Sequence, residues 1–388
     1  MKLTIGNPVV GDDFFDRELE QRQIWRKLES NHLLMLAPRR IGKTSLIYRL
    51  CQDSQTHRFF SLHCSFAGCE DERNCVQELF KALHILHTTG QKASKLFDGI
   101  KSIKIAGTGI DWTNERSDSW RSAGEEIGTA LAASEDNWLI CIDELPVFIV
   151  KLLQQGEPGR QRARTFLYWL RELRQTHFQR IKWLLAGSIG LDTMAARLRI
   201  GDAINDLEPF KLDAFSQDSA SRLLAELAHS YELPLDSATI EHLLKRIGWP
   251  VPYYLQLMFS HLRDACLDEQ TQPSPTAVDA VFNKLLGQSY RVHFDYWRQR
   301  LDDELGQPEA GYATRILDLI CATPEGMTSD ALAQALQPQI ADPDVRGRMQ
   351  RHLLQILEND GYLIRHETGR YAYRLEWLRM YWLKELRA

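Results

Sequence analysis

The residue pattern with the clearest chemical meaning is Ala37-Pro38-Arg39-Arg40-Ile41-Gly42-Lys43-Thr44, which follows four apolar residues. It matches the phosphate-binding pattern GxxxxGK[ST], which joins a strand to a helix, at every fixed position except the first. Backbone N–H groups at a helix start point at a phosphate, and the helix dipole favours an anion there. Lys43 would reach the β- and γ-phosphates, and the Thr44 hydroxyl would bind Mg²⁺. The pattern therefore predicts a nucleotide site; the alternative is a helix start with an exposed lysine.

The first position of this phosphate loop (residues 37–44) departs from the pattern, because Ala37 replaces a glycine. A residue before proline is restricted to extended conformations, so Pro38 lets the loop begin without a positive φ. Gly42 lets the backbone approach the phosphate closely. The nucleotide contacts predicted from the loop are Pro38, Arg39, Arg40, Ile41, Gly42, Lys43, Thr44 and Ser45.

A second candidate is the acidic pair Asp143-Glu144, which ends the apolar run Leu139–Ile142. Strands of a parallel sheet are buried, and ligands bind outside their carboxyl ends. Asp143 would hold Mg²⁺, directly or through water. Glu144 would orient and deprotonate the attacking water. The alternative interpretation is an ordinary strand followed by an acidic turn.

A third candidate is Ser188, which follows the apolar run Ile181–Ala186. Its hydroxyl would contact the γ-phosphate or the water that attacks it. Serine is common at strand ends, so an ordinary strand end is the alternative. The predicted catalytic residues are Lys43, Glu144 and Ser188.

The hydrophobic pattern predicts the helices and strands that position these residues. Short apolar runs alternate with helical spacing over residues 1–212, which is typical of an α/β core with a parallel sheet. A hairpin is predicted at 103–112. From Ser216 the spacing is helical, and we assign residues 213–305 to a helical lid. Three helices (312–321, 329–336 and 344–359) and a hairpin around Gly369 predict a winged helix over residues 310–388.

Composition narrows the class of protein. The chain has 388 residues, 44% of them apolar and 26% charged, and a net charge of −5, which is typical of a soluble globular protein. Its seven cysteines form no CxxC pair, which favours a reducing cytoplasm; a metal cluster of Cys64, Cys69 and Cys75 beside His63 is a minor alternative. No signal peptide or membrane span is expected, so we predict a cytoplasmic protein.

Together these motifs resemble the archaeal-ATPase family and its STAND relatives, which are close to the AAA+ P-loop ATPases. The resemblance begins at Gly6–Gly11 and Phe14–Glu18 and includes the Ala-Pro-Arg-Arg-Ile-Gly-Lys-Thr-Ser form of the loop. It identifies Asp143-Glu144 with the Walker B acids and Ser188 with the sensor-1 position. It implies ATP and Mg²⁺ as cofactors.

The resemblance also implies two nucleotide contacts outside the loop. Arg17 belongs to the family's "RE" pair in a segment that packs near the adenine, although Asp16 stands where glycine is frequent; a helix start capped by Asp16 is the alternative. Pro250 belongs to Gly248-Trp249-Pro250, which is similar to the GxP lid motif. A helix break forced by proline is the alternative. No sensor-2 arginine is recognisable, and Arg197 and Arg199 are arginine-finger candidates by position alone.

The winged helix carries ten basic and ten acidic residues, a balance that is poor for nonspecific binding to duplex DNA. Its arginines would dock in a DNA groove, face solvent, or pack on the rest of the chain; they are Arg346, Arg348 and Arg351 on the third helix and Arg365, Arg370 and Arg374 on the wing. We expect Trp377–Leu383 to pack on the body of the protein.

The leading functional hypothesis is an ATP-driven switch with slow hydrolysis that controls a partner protein or nucleic acid. One alternative is a DNA-binding regulator in which ATP is a structural ligand. Another is a scaffold that self-associates on ATP.

Overall fold

The computed structural model describes residues 1–88, 100, 103–106, 109–112, 119–187 and 190–387. The chain divides into two compact units. The sheet unit comprises Arg17–Ala37 and Lys43–Leu212, and the C-terminal unit comprises Met1–Asp16, Pro38–Gly42 and Asp213–Ala388.

The sheet unit is an α/β layer structure. Its described helices and strands are, in chain order, α1 (Glu18–Leu28), β1 (His32–Leu36), α2 (Lys43–Asp53), β2 (Phe59–Ser65), α3 (Glu72–Thr88), β3 (Ile103–Ala106), β4 (Gly109–Trp112), α4 (Ser119–Ala133), β5 (Asn137–Asp143), α5 (Leu145–Leu153), α6 (Gly156–Thr176), β6 (Ile181–Gly187), α7 (Leu191–Leu198) and β7 (Leu207–Lys211). Short 3₁₀ turns cover Ser54–His57 and Gly201–Ile204.

Five parallel strands form the sheet in the order β2-β5-β6-β1-β7. Every residue of β6 is buried, as are all residues of β5 after Asn137, because helices cover both faces of a parallel sheet. The carboxyl ends of β1 and β5 therefore lie on the same edge of the sheet, where the phosphate loop and the acidic pair begin. The separate antiparallel pair β3–β4 confirms the predicted hairpin, whose Gly107 and Thr108 lie outside the described residues.

The C-terminal unit consists mainly of helices. Its described helices and strands are α8 (Gln217–Ser230), α9 (Ser237–Ile247), α10 (Pro252–Glu269), α11 (Pro275–Leu285), α12 (Asp295–Leu305), α13 (Glu309–Cys321), β8 (Met327–Thr328), α14 (Ser329–Leu336), α15 (Pro343–Asn359), β9 (Leu363–Arg365), β10 (Arg370–Tyr373) and α16 (Glu376–Arg387), with 3₁₀ turns at Gly11–Asp13 and Gln288–His293. The predicted start of α8 is confirmed, since the Ser216 side chain accepts from the Ser219 N–H at 3.0 Å.

The winged helix forms as predicted from α13, α14, α15 and an antiparallel sheet in the order β8-β10-β9. Strand β8 was not predicted, because two residues give no periodicity. Helix α16 packs on the unit through buried aromatic residues, as expected for 377–383. The Trp377 ring lies 5.4 Å from Phe282 and 5.6 Å from Phe294, and Trp382 Nε1 donates to Asp318 at 2.8 Å.

The alternative in which Asp16 caps a helix is wrong. Helix α1 begins at Glu18, and the residue that precedes it is Arg17 in a left-handed conformation (φ 78°), so Asp16 does not cap it. All seven cysteines are free thiols. No helix in the described part of the chain is long and apolar enough to cross a membrane.

Candidate functional site

Thr44 and Asp143 meet at the carboxyl edge of the sheet. The Thr44 Oγ1 donates a hydrogen bond of 2.6 Å to Oδ2 of Asp143, which is 3% exposed. The other carboxylate oxygen, Oδ1, accepts from the Glu144 N–H at 3.0 Å. Strand β5 fixes the acid and the first turn of α2 fixes the hydroxyl, so the two side chains predicted as metal ligands are adjacent.

This pair fits Mg²⁺, which takes oxygen ligands and is usually held by one or two carboxylates together with water and substrate phosphates. Within residues that the structure describes, no group of three or more His, Cys, Asp or Glu side chains could hold a metal ion. A cation at this edge would therefore depend on Thr44, Asp143 and a bound phosphate together.

Lys43 lies beside the same pair. Its Nζ is 3.8 Å from Oε1 of Glu144 and 3.5 Å from the Ala37 carbonyl oxygen, and the residue is buried. A buried ammonium needs compensating negative charge, which Glu144 supplies and a phosphate would supply more fully. Both members of this ion pair are predicted catalytic residues.

Glu144 holds a strained position at the start of α5. Its φ of 55° places a non-glycine residue in the left-handed region, which costs about 1–2 kcal/mol. The neighbouring strand end also approaches closely, since a Cβ on Gly187 would lie 2.4 Å from Cδ of Pro146. Such strain is frequent at functional sites. Gly187 was not among the predicted residues, although its small size sets the distance between β6 and α5.

The phosphate loop itself contains two positive-φ residues, Arg40 (φ 67°) and Gly42 (φ 99°), on either side of the buried Ile41. Left-handed residues within a turn direct successive N–H groups into one concave anion site. Residues Pro38–Gly42 belong to the C-terminal unit, whereas Lys43 and Thr44 belong to the sheet unit. Ser45 lies in the first turn of α2.

The remaining predicted residues lie elsewhere or are not described. Arg17 is buried in the sheet unit and bonds to Glu20 Oε1 at 2.6 Å. Ser188 lies outside the described residues. Arg197 is in α7, and Arg199 follows α7 as an exposed residue with φ 56°. Pro250 is buried in the C-terminal unit, where its carbonyl oxygen accepts from Phe215 N at 3.2 Å.

The segment Gly248-Trp249-Pro250 links α9 to α10 and contacts Gly361 and Arg374 of the winged helix. The predicted break is present, since α9 ends at Ile247 and α10 begins at Pro252. The Trp249 ring lies 4.2 Å from the Arg374 guanidinium and leaves no room at Gly361, where a Cβ would be 2.6 Å away. This motif therefore connects two parts of the C-terminal unit.

Sequence reasoning named His63 only beside the cysteines, and it missed Tyr253 and Tyr296. His63, on β2, has a pKa lowered by burial, an effect that the charge of Asp143 partly opposes. Burial therefore favours its neutral form. Tyr253 and Tyr296 contact the side chain of Arg40. The tyrosines are more than 200 positions away from the loop, and no local pattern in the sequence marks such a contact.

Comparison with known proteins connects this geometry to solved structures. No family model and no curated protein matches the sequence. The Walker-type ATPase PABY2304 of Pyrococcus abyssi is similar in structure, with a TM-score of 0.63 and 18% identity over 97% of this chain and 98% of the other. The ORC2 protein of Aeropyrum pernix, solved in ADPNP–ADP complexes, is also similar in structure, with a TM-score of 0.53 and 12% identity over 97% of this chain and 98% of the other. The chain therefore has the fold of AAA+-related P-loop ATPases, as the resemblance predicted.

Proposed function

We propose that this protein binds ATP with Mg²⁺, hydrolyses it slowly, and uses the nucleotide to control a partner protein. The observation that carries the proposal is the meeting of Thr44 with Asp143, and of Lys43 with Glu144, at the carboxyl edge of a parallel sheet. Ligands bind at this edge in open α/β folds.

Each of these side chains has a separate part in the proposal. Lys43 would bind the β- and γ-phosphates, and Thr44 and Asp143 would hold Mg²⁺, which neutralises phosphate charge when bound. Glu144 would take the proton of a water that attacks the γ-phosphorus as the bond to ADP breaks. Ser188 would contact the γ-phosphate or that water.

Slow hydrolysis agrees with the ion pair in the site. The Glu144 carboxylate lies 3.8 Å from the Lys43 ammonium, so it is paired with that charge until Lys43 turns towards a phosphate. Binding of the nucleotide would therefore precede activation of the base.

Adenine is the proposed base of the nucleotide. The ORC2 protein, which is similar in fold, was solved with ADPNP and ADP. Arg17 and Pro250 are proposed to contact the nucleotide because of the resemblance to the archaeal-ATPase and STAND group.

A protein partner is favoured over DNA by the contacts of the winged-helix arginines. Arg374 bonds to Asp213, Arg370 donates to the Gly326 carbonyl at 2.8 Å, and Arg346 donates to the Ile340 carbonyl at 2.7 Å. Six arginines of this domain are exposed and carry the DNA alternative; they are Arg315, Arg348, Arg351, Arg365, Arg370 and Arg387. Self-association on ATP is the other alternative.

The first experiment measures binding of a fluorescent ATP analogue with Mg²⁺. Wild type should bind, and Lys43→Ala should bind at least tenfold more weakly, because its charge–phosphate contacts are worth roughly 1.5–3 kcal/mol. Lys81→Ala is the matched control, since Lys81 is an exposed lysine that pairs with Glu78 on α3. Equal affinity of Lys43→Ala and wild type would show that the site is elsewhere.

A second experiment separates the partner classes. Phosphate release is measured with and without duplex DNA, beside a gel shift over a salt series. If the rate of phosphate release is the same with and without DNA, and the gel shows no shifted band, the switch with a protein partner is favoured. Salt-sensitive DNA binding without turnover would favour the regulator instead. Light scattering with a non-hydrolysable analogue tests self-association.

A further inference from the structure

Arg40 has a backbone conformation that its side chain disfavours. Its φ of 67° is left-handed, and only glycine adopts this region without a steric penalty. Yet left-handed residues in a turn, such as Arg40 and Gly42, are those that direct successive N–H groups towards one anion site. Contacts elsewhere in the molecule must therefore hold Arg40 in place.

Two tyrosine rings supply such a contact. The Arg40 guanidinium carbon lies 3.9 Å from the centre of the Tyr253 ring and 4.6 Å from that of Tyr296. Both distances are within the range of a cation–π interaction. The Arg40 Nη1 is buried and has no hydrogen-bond partner among the described residues. The two tyrosine rings are therefore among the main contacts of the Arg40 side chain.

The rings are themselves fixed by hydrogen bonds. The Tyr253 hydroxyl is 2.7 Å from His293 Nδ1, and the Tyr296 hydroxyl is 3.3 Å from that of Tyr254. Tyr254 in turn accepts from Trp297 Nε1 at 3.0 Å. Tyr253 lies on α10 and Tyr296 on α12, so two lid helices fix the guanidinium.

The winged helix supports the same region. The Tyr362 hydroxyl donates to the Trp297 carbonyl oxygen at 2.7 Å. A Cβ on Gly361 would lie 3.1 Å from Cγ of Pro38, so this part of the winged helix also borders the loop. Arg39 approaches Tyr296 as well, with its guanidinium carbon 5.7 Å from the ring centre.

We propose that Tyr253 and Tyr296 are positioning residues for nucleotide binding: they hold Arg40 in the left-handed conformation that shapes the phosphate loop. This inference rests on the proposed function and deepens it, because it makes ATP affinity depend on α10 and α12. The coupling is reciprocal, so nucleotide that favours this loop conformation also stabilises the ring contact. The chain thereby links nucleotide to lid without a recognisable sensor-2 arginine.

Two possible roles for Arg40 predict different effects of its substitution on ATP binding. If Arg40 acted only by direct contact with phosphate, any residue without the charge would weaken binding equally. If it acts through loop conformation, glycine should replace it better than alanine, because glycine adopts positive φ freely.

The test measures the Kd of the fluorescent ATP analogue and the KM and kcat of hydrolysis. Replacing both tyrosines by leucine should weaken binding roughly 3- to 30-fold, as expected for loss of a cation–π contact. KM should rise with kcat nearly unchanged, since the lost interaction serves binding. The matched Tyr253→Phe/Tyr296→Phe variant keeps both rings but loses the hydroxyl hydrogen bonds, so it should bind more tightly than the leucine pair.

The Arg40 variants complete the cycle. Arg40→Ala should be as weak as the leucine pair, and Arg40→Gly should bind more tightly than Arg40→Ala. In the Arg40→Gly background the leucine pair should have no further effect. The inference is overturned if the leucine pair binds like wild type, or if glycine is no better than alanine.

These outcomes are distinct from failure of the proposed function, in which wild type itself does not bind ATP. Thermal unfolding of every variant checks the fold. If the leucine pair does not fold, the comparison of Arg40→Gly with Arg40→Ala still decides the question.

Discussion

Arg374 donates from Nη2 to both carboxylate oxygens of Asp213, at 2.7 Å each, and its guanidinium covers the Trp249 ring at 4.2 Å. The first residue of the lid and the end of the wing are thereby joined by charge and by stacking. An arginine that sequence alone offers to DNA is instead part of the internal structure of the C-terminal unit.

Arg374→Ala should therefore destabilise this unit by about 1–2 kcal/mol, a discounted value because Asp213 is partly exposed. Chemical unfolding monitored by tryptophan fluorescence measures the change. Arg365→Ala, on the exposed part of the same wing, should stay within about 0.5 kcal/mol of wild type. Equal effects of the two variants would contradict the internal role of Arg374.

Glu144→Gln should keep ATP binding but reduce kcat by about 100- to 10,000-fold, the usual contribution of a general base. Steady-state phosphate release measures it. Glu70→Gln, which alters an exposed acid paired with Lys151, should hydrolyse ATP like wild type. Undiminished turnover of Glu144→Gln would show that another group is the base.

Asp143→Asn should weaken the Mg²⁺-dependent part of ATP binding by about 10- to 100-fold, as is typical when a carboxylate at a metal site is lost. The amide oxygen can still accept from the Thr44 hydroxyl, so the fold should be retained. Titration with the ATP analogue in Mg²⁺ and in EDTA measures the difference. If the ratio of the affinity in Mg²⁺ to the affinity in EDTA is the same for Asp143→Asn as for wild type, Asp143 does not bind the metal.

His32 gives a prediction for pH. Its Nδ1 accepts from the Trp183 N–H at 3.2 Å and its Nε2 faces the Arg174 carbonyl oxygen at 3.0 Å, so both contacts suit the neutral ring. Burial lowers the pKa of His32 from 6.5 to about 4, partly opposed by the bond to Arg174. As pH falls below 6.5, the unfolded chain binds the proton first, so the free energy of unfolding decreases.

The loss should reach about 3 kcal/mol near pH 4 and be absent above pH 7. Denaturant unfolding between pH 7.5 and 4.5 measures it. His32→Asn should show a flatter dependence on pH over this range, whereas His229→Asn, at an exposed site, should follow wild type. If the free energy of unfolding of His32→Asn changes with pH as steeply as that of wild type, His32 is not the titrating group.

Local patterns were enough to predict the strands that carry the site. Apolar runs ending in Asp143 and in the phosphate loop identify two strand ends, and the parallel sheet brings Asp143 to Thr44. The start of helix α6 at Gly156 was not predictable in the same way, because its first turns are rich in polar and charged residues that show no apolar face.

Contacts between distant residues were not predictable. Arg40 and Tyr253 are attached by a ring contact that depends on the packing of the C-terminal unit, and neither residue type signals it. The same holds for Arg374, whose charge is visible in the sequence although its partner Asp213 is not. Charge patterns indicate which groups need partners, and tertiary structure decides which partner each one finds.

The grouping of Pro38–Gly42 with residues 213–388 has a consequence for biosynthesis. Proteins are made from the N-terminus, and regions synthesised early begin to fold first. Strand β1 and helix α2 leave the ribosome long before Tyr253 and Tyr296, which contact Arg40 in the loop between them. The phosphate loop is therefore among the first segments translated and among the last to gain its final contacts, so a nascent chain should complete the packing around this loop only after the winged helix is made.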